Sequence, residues 1–207
     1  MFLLPAALDG APQTSIARYV REFEASYSQV RTLEADFAQK SFAWGRTRVE
    51  SGTMYLARGG RMRWVYHQPE KKIFVTDGKH VMLYLPAEKQ VRISSLREVE
   101  DAPVPLDLLL SHVQLSKFFS RIEFAPQALE ARPGDRVIRG YPRGRLQRDI
   151  KSSLIELTPS FDIRKLVIFY PDNSTMQFTF SHIKRNQPLD LSLFVLVPPP
   201  GTEVIRQ

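Results

Sequence analysis

The chain has 207 residues, 43% hydrophobic and 25% charged, a composition that supports a folded domain with a buried core and argues against wholesale disorder. Lys and Arg outnumber Asp and Glu by 29 to 22, giving +7 at pH 7, which favours polyanions such as nucleic acid, phospholipid or lipopolysaccharide without choosing among them. Cysteine is absent, so disulfides, thiolate metal sites and a cysteine nucleophile are excluded, and no run approaches the roughly 18 apolar residues of a transmembrane helix.

The opening MFLLPAALDGAPQ is apolar but short and lacks a basic start. It reads either as the stump of a trimmed export signal or as a frayed start. From Thr14 to Val30, apolar residues at Ile16, Ala17, Val20, Phe23 and Tyr27 share one helical face, with Thr14 or Ser15 as N-cap. At Leu33 the period changes to two. Leu33, Ala35 and Phe37 alternate with Glu34, Asp36 and Ala38, and Met54 and Leu56 continue the pattern in the next strand.

In the strand that follows, Met62, Trp64 and Tyr66 share one face and Arg61, Arg63, Val65 and His67 the other. TDGK predicts a tight hairpin centred on Asp77-Gly78, with glycine supplying the positive φ. Residues Val104 to Phe119 are leucine-rich and predict one or two short apolar helices. The segment Arg132 to Lys151 is strongly basic around Val137-Ile138 and reads as a solvated hairpin or loop, where contact with a membrane complex and simple solvation are equally compatible. Strands over Ser152 to Thr158, Arg164 to Tyr170 and Thr175 to Ile183, parted by PSFD and PDNS, predict an antiparallel meander. The closing LSLFVLVPPPGTEVI predicts a strand stopped by three prolines. Residues 1–207 are expected to form a single domain.

Catalytic constellations are missing from this pattern. His67, His80, His112 and His182 show no HxH or HExxH spacing, so no metal site is expected, and no GxSxG, Walker A or GxGxxG loop occurs, so neither an enzyme nor a cofactor is expected. A single-strand nucleic-acid platform needs rings and cations on one side. Here they point apart, and no nucleic-acid partner is expected. One consistently apolar face does emerge, comprising Phe37, Met54, Leu56, Met62, Trp64, Tyr66, Ile73, Val75, Met82 and Tyr84. Apolar strand faces are ordinarily closed core.

The stretch GTMYLARGGRMRWVYHQPEKKIFVTDGKHVMLYLPAEKQV resembles the outer-membrane lipoprotein carrier family, LolA. The resemblance lies in Phe37 and Gln39; Gly52, Met54 and Arg58; Trp64 and Tyr66; Pro69, Ile73, Val75, Asp77 and Gly78; Tyr84 and Pro86; and the ending LFVLVPPPGTEVI. It implies an incomplete, half-open antiparallel β-barrel whose N-terminal helix and short apolar helices form a lid over the concave face, with Leu106, Leu109 and Leu110 as lid residues. The function implied is that of a soluble, monomeric periplasmic carrier. It would bind lipoprotein acyl chains, receive acylated lipoproteins from an inner-membrane ABC transporter complex and pass them to an outer-membrane lipoprotein receptor. Arg58 matches the family arginine that hydrogen-bonds lid backbone, although Arg58-Gly59 replaces the family's Arg-Pro. A half-barrel module sensing lipids or lipoproteins, or the outer-membrane acceptor itself, are the alternative readings.

Overall fold

The computed structural model describes residues 15–95 and 114–206. The expected helical face becomes α1 (Ile16–Tyr27), capped by Ser15, whose Oγ accepts from the Arg18 N–H at 3.3 Å. Its buried side chains, Tyr19, Val20, Phe23 and Tyr27, lie along one stripe. Strands follow as β1 (Thr32–Ala43), β2 (Arg46–Ala57), β3 (Arg61–Gln68), β4 (Lys72–Asp77), β5 (His80–Leu85) and β6 (Gln90–Ser95). After α2 (Leu115–Phe118) come β7 (Phe119–Phe124), β8 (Arg136–Pro142), α3 (Leu146–Asp149), β9 (Ser152–Leu157), β10 (Ile163–Phe169), β11 (Thr175–Arg185) and β12 (Glu203–Arg206).

The twelve strands form one sheet in the order β12-β6-β5-β4-β3-β2-β1-β11-β10-β9-β8-β7. Its edge strands, β7 and β12, do not pair with each other, so the sheet is open, the incomplete barrel expected. All neighbours are antiparallel except β12, which runs parallel to β6.

Three local expectations are corrected. The β4–β5 turn is centred one residue later than Asp77-Gly78, because Thr76 pairs with Val81; Gly78 holds φ +95° and Asp77 Oδ1 accepts from the Lys79 and His80 N–H groups at 2.7 Å each. Within Arg132 to Lys151, β8 is a fully paired strand between β7 and β9, with Val137 and Ile138 buried. At the C-terminus the apolar run is not a strand. Leu191–Phe194 is a 3-10 turn, and the strand is β12, after the prolines that cannot donate to a ladder.

Antiparallel pairing puts partnered residues on the same face, so the register defines two surfaces. The inner face carries Leu33, Ala35, Phe37, Met54, Leu56, Met62, Trp64, Tyr66, Phe178 and Phe180, all buried in one cluster with the stripe of α1. Gly52 sits within this face, opposite Tyr66 at a bulge, where an added Cβ would lie 1.9 Å from the Val65 carbonyl oxygen and 3.0 Å from the Phe37 ring. Because the first obstacle is backbone, Gly52→Ala is expected to destabilise the fold by about 1–3 kcal/mol, read as a lower denaturant midpoint. An unchanged midpoint would mean that β2 and β3 separate there without cost. On the outer face, Val137, Leu154 and Val167 make a second small core under residues 125–131. Beside it the buried Glu156 carboxylate meets the Lys165 ammonium at 3.1 Å and accepts from the Arg132 N–H at 3.0 Å.

Candidate functional site

The inner face is an aromatic and sulfur surface assembled from six strands. Phe37 on β1 meets Trp64 on β3 edge-on at 4.7 Å between ring centroids, and Tyr66 at 4.9 Å; Trp64 continues to Phe178 at 5.6 Å and Phe180 at 6.3 Å on β11. Met54 pairs with Trp64 and Leu56 with Met62, which seats the thioethers among the rings. From Leu33 to Gln39 this surface runs about 20 Å at about 3.4 Å per residue.

Both ends of the strip are polar. At one, Tyr66 Oη donates to Gln39 Oε1 at 2.8 Å, while the buried Glu50 carboxylate meets Lys72 Nζ at 2.8 Å and Arg48 Nη2 at 3.1 Å. Burial, with the Glu50 charge adding to it, pushes the Tyr66 phenol well above its ordinary range, so it stays a donor. At the other end Arg58 Nη2 donates to the Ser28 carbonyl at 2.6 Å and Nε to the Val30 carbonyl at 3.4 Å, the segment just after α1. Ser28 is the C-cap of α1, where backbone acceptors lack intrahelical partners and a cation is favoured. Gly59 and Gly60 hold φ +81° and +74°, the first of which proline cannot adopt, so the Arg-Gly departure builds a different turn and still delivers the guanidinium to the end of α1.

The buried stripe of α1 joins the cluster of the inner face, and its rings pack beside the strip, on β7 and on the turn between β9 and β10. Tyr19 packs on Phe124 and on Phe161, both at 5.3 Å, and Phe23 on Tyr27 at 5.3 Å and Phe161 at 6.3 Å. Burial pushes the Tyr27 phenol up to about 12, which keeps it neutral under the helix. One void between Tyr27, Leu33, Met54, Ile163, Phe180 and Ile183 measures about 10 Å³, room for about one water molecule. Between these six side chains there is no space for a hydrocarbon chain. A larger cavity of about 260 Å³ lies at the β7–β8 edge, against Phe124, Pro126, Ala131 and Val137.

Of the ten residues expected on the apolar face, six lie together on it: Phe37, Met54, Leu56, Met62, Trp64 and Tyr66. Ile73, Val75, Met82 and Tyr84 do not. Val75 pairs with Arg63 and Met82, and Ile73 with Val65 and Tyr84, which places all four on the outer face. The inner positions of those strands are Phe74, opposite Trp64, and Leu83, opposite Phe74. Val75 is nonetheless buried, because the turn Leu191–Phe194 packs over β3 and β4, with Arg63 Nη1 donating to the Leu193 carbonyl at 2.9 Å. Phe178 and Phe180 were missed although MQFTFSHI alternates with period two, the signal that would have found them. Leu106, Leu109 and Leu110 lie outside the described residues. Within the basic segment, Arg136, Arg143, Arg145, Arg148 and Lys151 are exposed, and the Arg136 guanidinium lies over the Tyr19 and Phe124 rings. Among the described residues, no group of three His, Asp or Glu side chains could hold a metal ion.

An open sheet that keeps one apolar face packed beneath a pinned amphipathic helix defines a half-barrel with a coverable hydrophobic surface. The chain belongs to the outer membrane lipoprotein carrier protein family, LolA, whose family model matches residues 28–197. The outer-membrane lipoprotein carrier protein of Nitrosospira multiformis is 27% identical over 203 residues, covering 94% of this chain and 91% of the relative; that of Chromohalobacter salexigens is 28% identical over 186 residues, covering 86% and 82%. Among solved structures, an uncharacterized conserved protein from Thermus thermophilus shares the fold with a TM-score of 0.59 at 12% identity, over 93% of this chain and 100% of that one. Among the described residues no helix is long and apolar enough to cross a membrane.

Proposed function

We propose that this chain carries the acyl chains of lipoproteins across the periplasm on its inner face, as a single-domain monomer. It takes them from an inner-membrane ABC transporter complex and passes them to an outer-membrane lipoprotein receptor. The observation that carries this reading is the roughly 20 Å strip of rings and thioethers between two polar ends, buried in one cluster with the stripe of α1, whose C-cap carbonyl at Ser28 is held by Arg58. Acyl chains are worth about 0.8 kcal/mol per buried CH₂, so a lipoprotein leaves a bilayer only for a comparable apolar surface. Thioethers and broad rings supply such a surface without dictating one chain path. Phe37, Met54, Leu56, Met62, Trp64 and Tyr66 form it together with Phe74, Leu83, Phe178 and Phe180, while α1, with Leu106, Leu109 and Leu110, is the cover. Loading at the Tyr27 end requires the helix to lift, because the void there holds only about 10 Å³.

The two tryptophans of the chain, Trp44 and Trp64, make the test direct. In a Trp44→Phe background, a fluorescent fatty-acyl probe should bind saturably, be displaced by palmitate and quench the remaining Trp64 emission in step with binding. Absence of saturable binding, or saturation with Trp64 emission untouched, would remove the inner face as the acyl site.

A further inference from the structure

The tip of the β1–β2 hairpin is built against its own turn chemistry. Trp44 and Gly45 are the two loop residues between the paired Ala43 and Arg46, with φ +49° and +73°. A two-residue turn with both φ values positive normally takes Asn-Gly, and a bulky side chain in the left-handed region is an outlier. The tryptophan there is also 93% exposed, so packing does not account for it.

Nor is it an isolated apolar residue. The register places Phe42 opposite Thr47 and Val49 opposite Lys40, so Phe42 and Val49 are diagonal neighbours on the outer face of the same hairpin, and both are exposed. The hairpin overhangs its neighbour, since β3 pairs with β2 only from Ser51 onward. Cations flank the apolar tip. Arg48 is shared by Glu50 and Glu70 at 3.1 and 3.4 Å, whereas exposed Lys40 and Arg46 make no ion pair among the described residues.

We propose that this tip, Trp44 with Phe42 and Val49, dips into the headgroup layer of an anionic bilayer, with Lys40 and Arg46 facing the lipid phosphates. Indole rings favour the boundary between hydrocarbon and water, having an apolar body and a polar N–H. Basic residues close to the surface add attraction to anionic lipid that decays within a Debye length. With three apolar side chains and two exposed cations, the contact is shallow and reversible, suited to touching a membrane and leaving it. It concerns a surface separate from the inner face, and its test uses the empty protein.

Titration with phosphatidylglycerol–phosphatidylethanolamine vesicles should blue-shift Trp44 emission, and lipids brominated on their acyl chains should quench it, while pure phosphatidylcholine gives a weaker response. Trp44→Asn, which suits the turn, should lower vesicle partitioning about tenfold with a melting temperature no lower than that of the parent. The double variant Lys40→Glu, Arg46→Glu should erase the preference for anionic vesicles. Vesicles that leave Trp44 emission unchanged would overturn the proposal. So would Trp44→Asn partitioning like the parent, or the variant losing only lipoprotein uptake from the inner-membrane complex, which would mark a protein pocket as the occupant.

Discussion

Phe23→Ala is expected to lower the stability of the empty protein by about 3–5 kcal/mol and, in the same protein, to tighten acyl-probe binding. The phenyl ring is fully buried between α1 and the sheet, against Tyr27 and Phe161. Truncation leaves a void that the rigid sheet cannot collapse to fill. If the covered state must open before an acyl chain reaches Trp64 and Phe178, the apparent affinity is the intrinsic affinity scaled by the fraction open. Phe23 contributes to the covered state only, so its loss raises that fraction, tenfold for each 1.4 kcal/mol until opening is no longer limiting. Urea denaturation and probe titration on the same preparation measure both effects. A probe affinity that falls along with stability would show that Phe23 belongs to the acyl surface itself, not to its cover.

The opposite signs in that experiment depend on which residues share a face, and the sequence reveals this unevenly. Strand β1 has one covered face and one wet face, and in β3 buried residues alternate with half-buried ones, so Phe37, Met62, Trp64 and Tyr66 stand out against Asp36, Lys40, Arg61 and Arg63 by simple alternation. In β4 the run KIFVTD is apolar on both faces, because Phe74 lies under the inner core and Val75 under the turn ending in the buried Phe194. A strand covered twice loses its period. Its parity is then fixed by the three-residue connection from β3, which pairs Tyr66 with Lys72, and no local pattern announces that register. The error in Ile73 and Val75 passed unchanged to Met82 and Tyr84, since β5 takes its facing from β4. The C-terminal segment that causes the double covering was itself misread, because LFVLV looks like a strand although its role is to cap the outer face. Arg58, by contrast, was marked only by its match to the family arginine, and its partners, Ser28 and Val30, lie 30 and 28 residues away along the chain.

Those partners make Arg58→Leu the second large effect, expected in the kinetics of release. The guanidinium reaches two carbonyls beyond the last turn of α1, and a hydrogen bond from a charged donor is worth about 1.5–3 kcal/mol when protected from water. Arg58 is exposed, so the contribution falls toward the lower end of that range. Even there, closure becomes about tenfold less favourable. A carrier releases cargo when covering the face again competes with holding the chain, so weaker closure means longer retention. Transfer of a bound lipoprotein to acceptor membranes should therefore slow about tenfold, while probe binding without an acceptor tightens. Arg58→Lys separates geometry from charge. A single ammonium cannot span the Ser28 and Val30 carbonyls as the planar fork does, so its transfer rate should fall between parent and leucine variant. Transfer at the parental rate by Arg58→Leu would reduce Arg58 to a clamp on the β2–β3 turn, where its backbone N–H already donates to the Arg31 carbonyl at 3.0 Å, and would leave closure to the buried rings of α1 alone.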